Sequence, residues 1–249
     1  MPSGTEPAAR ATPSVISADG AMALSDEEAV RRVLAGDTAA FEVIIRRYNQ
    51  RLFRAARGIL RDETEAEDVV QEAYLQSLRH LRAFRWQSSL ATWLTRIAVN
   101  EACARRRNRT RPAMPTVTPQ RDDGADIGIR RREAAAALRE HIDALPSSLR
   151  VVLVLRVVEG LGTTECAESL GLSEAAVKVR LHRAREALQR RMAADLVDEL
   201  QSVYAFDGER CDRIVRGVMG RARAALSNEE NAEEDRGFRA EEDRGEERA

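Results

Sequence analysis

The side chains best suited to binding a charged partner are concentrated between residues 174 and 192, where six Lys or Arg stand against two Glu. The apolar residues of this segment recur at intervals of four, three and four positions, and they are Val177, Leu181, Ala184 and Leu188. That spacing predicts one packed stripe on a helix, which leaves Lys178, His182 and Arg185 on an exposed edge. Such a helix fits the major groove of DNA, where Lys and Arg reach phosphates and guanine edges. A solvated basic face is the alternative interpretation.

The turn before this helix favours DNA binding. Gly171 follows a short predicted helix at the position where a chain takes up a left-handed conformation, and Ser173 supplies the hydroxyl of the next N-cap. Two helices joined in this way form a helix-turn-helix. We therefore predict that the basic helix is the DNA-reading helix of such a unit.

A cluster of carboxylates lies in the first half of the chain and consists of Glu63, Glu65, Glu67, Asp68 and Glu72. A solvated helix N-terminus is one interpretation, because acids there complement the helix dipole. A protein-docking face is a second, because Asp68 and Glu72 fall outside the predicted apolar stripe. A metal-dependent hydrolase is a third, but it needs inward-facing acids or a His on another helix, and the nearest one, His80, lies on the same helix.

Aromatic residues surround a predicted break between two helices at residues 84–89. Trp93 fits the apolar stripe of the following helix, so packing explains it, whereas Phe84 and Trp86 lie in a loop that has no evident packing reason to be aromatic. Aromatic side chains beside a basic helix are typical of surfaces that hold unstacked bases of single-stranded DNA.

The elements that position these groups are all predicted to be helices. A capping box formed by Ser25 and Glu28 starts the first helix. Three further helices complete a bundle, and the second of the four carries an apolar stripe. That stripe consists of Phe41, Ile44, Ile45, Tyr48, Leu52, Ala55, Ala56 and Ile59. We predict an all-α protein of two small helical domains, a four-helix bundle and a helix-turn-helix domain, joined by a flexible linker.

The predicted segments are a disordered tail at 1–23, the bundle at 24–111, a linker at 112–132, the helix-turn-helix domain at 133–193, a helical extension at 194–226 and an acidic disordered tail at 227–249. The last segment contains the sequence Ala-Glu-Glu-Asp-Arg-Gly twice, at 232–237 and 240–245. A solubilising tail and a DNA mimic that covers the basic helix are both open interpretations.

Composition restricts the class of protein. The chain is 43% hydrophobic, 33% charged and only 4% aromatic, which favours packed helices over a sheet protein. Cys103, Cys166 and Cys211 are far apart and form no CxxC pair, so neither a zinc site nor a disulfide framework is indicated. No apolar run is long enough for a membrane span or a signal peptide. We expect a cytoplasmic protein without a cofactor and without a membrane partner.

Three stretches in this order resemble the extracytoplasmic-function (ECF) group of RNA polymerase sigma factors. They are AEDVVQEAYLQSLRHLRAFR at 66–85, LATWLTRIAVNEACARRRNR at 90–109 and LGLSEAAVKVRLHRAREALQRRM at 170–192. The resemblance identifies the bundle as sigma region two and the helix-turn-helix domain as region four. It implies a transcription initiation factor that binds core RNA polymerase through its clamp coiled coil and its flap, recognises promoter DNA and melts it. It also implies that the chain is not itself an enzyme.

The resemblance also assigns residues by position. The docking residues for core polymerase are Asp68, Gln71 and Glu72. The residues for the minus-ten element are Phe84, Arg85, Trp86, Ser88, Ser89, Arg96, Asn100, Arg105, Arg106 and Arg107. The residues for the minus-thirty-five element are Ser173, Ala175, Lys178, Val179, His182 and Arg183. The resemblance also raises an anti-sigma protein as a further partner.

The sequence departs from the family pattern at three positions. Val179 stands where Ser or Thr is common, which changes the expected base preference, and Cys166 and Ser169 stand where larger aliphatic residues are usual. The smaller side chains predict a thinner core in this helix pair. Segment 206–215 is similar to C-terminal extensions of some of these sigma factors, but the pattern predicts no function for it. For Cys211, a structural cysteine and a redox or metal sensor are the two interpretations.

The main rival to a sigma factor is a helix-turn-helix regulator that acts independently of core polymerase. Such a regulator would dimerise and bind duplex sites by itself. It would give no reason for the acidic face around Asp68 and Glu72 or for the aromatic loop at 84–89. The sequence therefore favours the sigma factor.

Overall fold

The computed structural model describes residues 24–108, 138–190, 203–204 and 206–224, and the regular elements within these ranges are all helical. Those of the first half are α1 (Asp26–Leu34), α2 (Thr38–Leu60), α3 (Glu63–His80), a 3₁₀ turn (Leu81–Ala83) and α4 (Leu90–Asn108). Those of the second half are α5 (138–143), α6 (Ser147–Leu153) with a π-helical continuation (Val154–Val158), α7 (Thr163–Leu170), α8 (Glu174–Gln189) and α9 (208–224). The all-helical prediction is confirmed. The tails predicted at 1–23 and 227–249 and the linker predicted at 112–132 lie outside the described residues.

Side-chain caps explain where the helices of the first half begin. The Ser25 hydroxyl accepts a hydrogen bond from the Glu28 amide at 3.2 Å, and Asp37 and Asp62 cap α2 and α3 in the same way. The capping box predicted for α1 is only half correct, because the Glu28 carboxylate pairs with Arg31 and Arg32 instead of reaching back. Those two cations outcompete the backbone amide for the carboxylate.

The bundle of the first half has a core built from α2, α3 and α4. All the apolar residues predicted to line α2 are buried except Tyr48, which is half-buried and donates its hydroxyl to Asp26. Tyr74 of α3 is fully buried, meets Phe41 edge to face and donates its hydroxyl to the Ile45 carbonyl at 3.1 Å. These contacts fix α3 against α2, so the opposite side of α3 is turned outward.

The second half contains the predicted helix-turn-helix. Gly171 ends α7 in a left-handed conformation with φ +63°, and the Ser173 hydroxyl then caps α8 by accepting from the Ala176 amide. Cys166 and Ser169 are both fully buried in this pair, and burial raises the pKa of the Cys166 thiol to about 11. The Ser169 hydroxyl has no hydrogen-bond partner among the described residues. Burying this hydroxyl without a hydrogen bond lowers the stability of the helix pair.

The two halves pack against each other through the Arg face of α2. Arg51 pairs with Glu165 at 2.7 Å, Arg54 with Glu159 at 2.6 Å and Arg57 with Asp143 at 2.8 Å. At Gly58 of α2, an added Cβ would stand 3.5 Å from the Val151 Cα, so the small residue allows a close approach of α6. The sequence pattern predicted the apolar stripe of α2 but not that acidic residues far along the chain would pair with these Arg side chains.

Arg150 joins the ends of two helices at the same junction. Its side chain is fully buried and donates to the Gly58 carbonyl at the C-terminus of α2 and to the Asp143 and Leu145 carbonyls at the end of α5. Burial lowers the pKa of this guanidinium to about 10, so it still carries its charge at neutral pH. A cation is favourable there because both helix C-termini carry unpaired carbonyls and a partial negative charge.

Helix α9 packs against the first half, where Asn49 of α2 donates to the Cys211 carbonyl and Gly217 lies against Gln71 of α3. Its buried residues belong to the same hydrophobic core as those of α2 and α3, and they are Ile214, Val215, Val218, Met219 and Ala222. None of the helices in the described ranges is both long and apolar enough to cross a membrane.

Candidate nucleic-acid interface

Helix α8 separates its packed stripe from the residues assigned to DNA. Val177, Ala184 and Leu188 are buried and Leu181 is partly buried. The six residues assigned to the minus-thirty-five element are all exposed, and they are Ser173, Ala175, Lys178, Val179, His182 and Arg183. Val179 exposes 48% of its surface, an unusual position for a β-branched apolar side chain. On DNA, a side chain of this kind would contact a thymine methyl rather than form a base-edge hydrogen bond.

The loop before α4 is organised by three aromatic rings, of which Phe84 and Trp93 are stacked and Phe84 and Trp86 are tilted. The Phe84 ring lies between Trp86 and Trp93, with both pairs of ring centroids 4.8 Å apart. Trp86 remains 42% exposed and has a positive φ of 56°, a conformation that is rare for a bulky residue. Packing against Trp93 therefore gives Phe84 a structural role, which the sequence analysis did not foresee, while the Trp86 ring is held at the surface.

The polar residues assigned to the minus-ten element differ in exposure. Arg85, Arg96, Asn100, Arg106 and Arg107 are exposed, whereas Ser88 and Arg105 are partly buried. Ser89 is exposed and also has a local structural role, since its hydroxyl caps α4 by accepting from the Thr92 amide at 3.1 Å. Arg105 lies 3.5 Å from the Asp68 carboxylate, and Arg106 donates to the Ser147 hydroxyl.

A cleft of about 620 Å³ separates these residues from the helix-turn-helix. One wall contains Phe84, Arg85, Ser88, Trp93 and Arg96, and the other contains the turn between α7 and α8. The residues of that second wall are Thr164, Ala167, Glu168, Gly171, Leu172 and Glu174. The structure thus brings the residues assigned to the minus-ten element close to the turn that precedes α8, although α8 turns its own assigned residues to solvent.

The acidic face of α3 is occupied by other parts of the chain. Asp68 is exposed, but Gln71 and Glu72 are only partly so, because Arg221 of α9 donates to the Gln71 amide oxygen at 2.8 Å and lies 3.8 Å from the Glu72 carboxylate. Arg210 and Arg213 reach Glu67 of the same helix at 3.1 and 2.8 Å.

Sequence reasoning missed these basic residues of α9. The signal was present in their spacing, since the Arg residues 210, 213 and 221 share one side of a helix, but the partner helix is about 146 positions away. Among the described residues, no group of three or more His, Cys, Asp or Glu side chains is placed to hold a metal ion. Four of the α3 carboxylates pair with Arg residues in the described part of the chain, and they are Glu63, Glu67, Asp68 and Glu72.

Two protein families match the chain. Sigma-70 region 2 matches residues 44–112, and sigma-70 region 4 matches residues 135–188. The first range spans most of α2, all of α3 and α4 and the aromatic loop, and the second spans α5 to α8. Helix α9 lies beyond both ranges.

Similar proteins are sigma factors. RNA polymerase sigma-H factor of Pseudomonas aeruginosa is 33% identical over 181 residues, which cover 66% of this chain and 92% of the relative. ECF RNA polymerase sigma factor SigM of Mycobacterium tuberculosis is 34% identical over 169 residues, which cover 67% of this chain and 84% of the relative. Among solved structures, CnrH in complex with the cytosolic domain of CnrY is 28% identical, with a TM-score of 0.51 over 66% of this chain and 95% of that one.

The comparisons and the helical architecture agree with the assignment made from the three sequence stretches. The matched ranges place the acidic helix and the aromatic loop in region two and the helix-turn-helix in region four. Members of this family are not enzymes. The chain therefore belongs to the extracytoplasmic-function sigma factors, which bind RNA polymerase and direct it to promoters.

Proposed function

We propose that this sigma factor uses three separate surfaces to start transcription. The acidic face of α3, with Asp68, Gln71 and Glu72, docks the clamp coiled coil of core polymerase. The aromatic loop and the exposed side of α4 hold the melted minus-ten strand, and α8 reads the minus-thirty-five element. Region four also meets the polymerase flap.

The observation that carries this proposal is that α8 has its apolar side chains on one face and the side chains assigned to DNA on the other. The six residues assigned to DNA are exposed, and the stripe that packs against α6 and α7 contains none of them. A helix that combines a free basic edge with a firmly packed opposite side is the form in which a helix-turn-helix enters the major groove. Lys178 and Arg183 can then contact phosphates or base edges without any change in the core.

The surface proposed to hold the melted strand consists of the aromatic loop and the exposed side of α4 around Asn100, and we call it the melting surface. Trp86 is held at the surface by Phe84, and Asn100 projects from the exposed side of α4 together with Arg96. Aromatic rings stack on unpaired bases, and Arg side chains compensate the charge of the backbone phosphates. We assign Asn100 and Phe84 to an extruded base and Arg96, Arg106 and Arg107 to the non-template strand.

A protein inhibitor is also proposed as a partner. The support is the similarity to CnrH, whose solved structure contains the cytosolic domain of CnrY. The test is to isolate the full chain from its own cells and identify proteins that co-purify in constant ratio. A stable partner whose addition blocks run-off transcription would support this proposal, and purification of the chain with core polymerase alone would contradict it.

Run-off transcription with core polymerase on genomic fragments tests the proposed function as a whole. We expect transcripts from particular start sites only when the protein is added. The Lys178→Ala plus Arg183→Ala variant should lose these transcripts, whereas Arg190→Ala, a change at an exposed site at the end of α8, should retain them. Transcripts that are independent of the protein, or equal for both variants, would contradict the proposal.

A further inference from the structure

Helix α9 is held on the first half of the chain by apolar contacts along its whole length. Its side chains Ile214, Val215 and Val218 are buried in the core shared with α2 and α3. The Phe206 ring, which comes just before the helix, lies 5.5 Å from the Phe53 ring of α2. Asn49, also on α2, donates its amide to the Cys211 carbonyl at 3.3 Å. Burial of this apolar surface provides most of the attraction.

The edge of α9 that faces α3 is basic. Arg210 pairs with Glu63 at 2.6 Å, and Arg213 pairs with Glu67 at 2.8 Å. Farther along, Arg221 reaches Gln71 and Glu72. The acidic face of α3 thus meets a series of Arg side chains from the same polypeptide, so its charge is already compensated.

Gly217 gives the closest approach between the two helices. A Cβ at this position would overlap the Gln71 amide, so any larger residue would require the Gln71 side chain to move. Gln71 is one of the three residues to which we assign polymerase docking. A protein that contacts Gln71 and Glu72 from outside would have to occupy the volume that Gly217 and Arg221 now fill.

We propose that α9 is a competitor, within the same chain, for the polymerase-docking surface of region two. This inference rests on the proposed role of Asp68, Gln71 and Glu72. Core polymerase binds after α9 has moved away from α3, and Asp68, which α9 leaves exposed, is available for the first contact. In this proposal, the docking surface on α3 accepts a basic helix with an apolar stripe. Because α9 lies outside the ranges that match the two families, the competition is a property of this chain's extension.

The competition has a simple quantitative form. If α9 is displaced in a fraction f of the molecules, the apparent dissociation constant for core polymerase is the intrinsic one divided by f. Arg213 and Arg221 are both about half exposed, so each of their ion pairs is weak and the apolar stripe holds most of the affinity. Changes at these two charges should therefore raise f without preventing the rest of the chain from folding.

The test compares charge reversals on two sides of α9 in the full chain. Arg213→Glu with Arg221→Glu puts carboxylates beside Glu67 and Glu72, and we expect core polymerase to bind about tenfold more tightly. Arg216→Glu is the matched control, because Arg216 is exposed on the same helix and, within the part of the chain that the structure describes, donates to the Asp212 carbonyl of its own helix and not to α3. It should bind like the wild type. Equal affinity of the double variant and the control would overturn the proposal.

A measurement on the wild-type protein covers the case in which the double variant does not fold. Cys211 is half-buried on α9, and its thiol accepts from Asn49 at 3.4 Å. Saturating core polymerase should increase its alkylation rate about tenfold as the helix leaves its site. Cys166, which is fully buried in the helix-turn-helix, is the internal reference. An unchanged or slower rate at Cys211 would show that α9 stays in place when polymerase binds.

Asp68→Lys separates this inference from the proposed function on which it rests. No contact between Asp68 and α9 is found among the described residues, where its ion-pair partner is Arg105. If Asp68→Lys loses polymerase binding while the Arg213→Glu plus Arg221→Glu variant gains none, the docking surface stands and the competition is wrong. If Asp68→Lys binds like the wild type, the docking assignment is wrong and the competition falls with it.

Discussion

The face of α8 assigned to DNA and the face of α3 assigned to docking differ in how far the described part of the chain covers them. Lys178, His182 and Arg183 face solvent, whereas Gln71 and Glu72 contact α9. Both faces follow from a local pattern of apolar and charged residues along one helix. Whether such a face is available depends on a distant segment, and here the segment is an extension that the matched families do not include.

Charge reversal on α3 should give the largest effect. Asp68→Lys with Glu72→Lys is expected to weaken capture by core polymerase by about 100-fold or more, because like charges at a docking face oppose association. Thr64→Lys, at an exposed position on the same helix, is the control. The measurement is binding of labelled protein to core polymerase, with the helical signal as a check of folding. If the charge-reversed variant still bound core polymerase, α3 would not be the docking helix.

The free face of α8 gives the second effect. Lys178→Ala with Arg183→Ala should weaken binding to the upstream promoter element by roughly 1–3 kcal/mol for each base-edge contact and by less for each phosphate contact. Titrations at several salt concentrations separate the two, since each lost phosphate contact lowers the slope of log affinity against log salt by about one. Unchanged affinity, slope and sequence preference would place DNA reading on another helix.

The melting surface should respond more weakly and at a later step. Asn100→Ala should leave the closed complex intact and lower promoter opening about tenfold, as expected for one lost hydrogen bond to an extruded base. Asn108→Ala, exposed at the end of the same helix, should open promoters normally. Phe84→Ala should resemble Asn100→Ala but also loosen the Trp93 contact. A template already melted at the minus-ten element should rescue both variants, and a lack of rescue would assign these residues to another step.

The smallest effect concerns α7, which packs against α8, and should leave the exposed face of α8 unchanged. Ser169→Ala should raise the free energy of unfolding by about 1 kcal/mol, because it removes a buried hydroxyl that has no partner in the described part of the chain. Urea unfolding measures the change, and promoter affinity should stay the same. A destabilised variant would indicate that the hydroxyl is hydrogen-bonded.

The helices and their outward faces could be predicted from the sequence because each depends on contacts within a few turns. Gly171 and Ser173 indicated the turn, and the spacing of Val177 and Leu188 indicated which side of α8 would be buried. The roles assigned to individual residues at the three surfaces remain predictions.

The contacts between distant segments could not be predicted in the same way. Arg54 and Arg57 look like solvated residues in the sequence, yet both are buried and paired with Glu159 and Asp143. The pairing of α9 with α3 depends on complementary charges, and many other Arg and Glu residues in this chain could have formed such pairs.

Amide hydrogen exchange of the full-length protein, with and without core polymerase, tests the central comparison most directly. On binding, α3 should gain protection and α9 should lose it, while α8, which needs DNA as its partner, should change little at its DNA-facing side. Protection of α9 together with α3 would contradict the account, because it would mean that polymerase binds over the extension instead of displacing it.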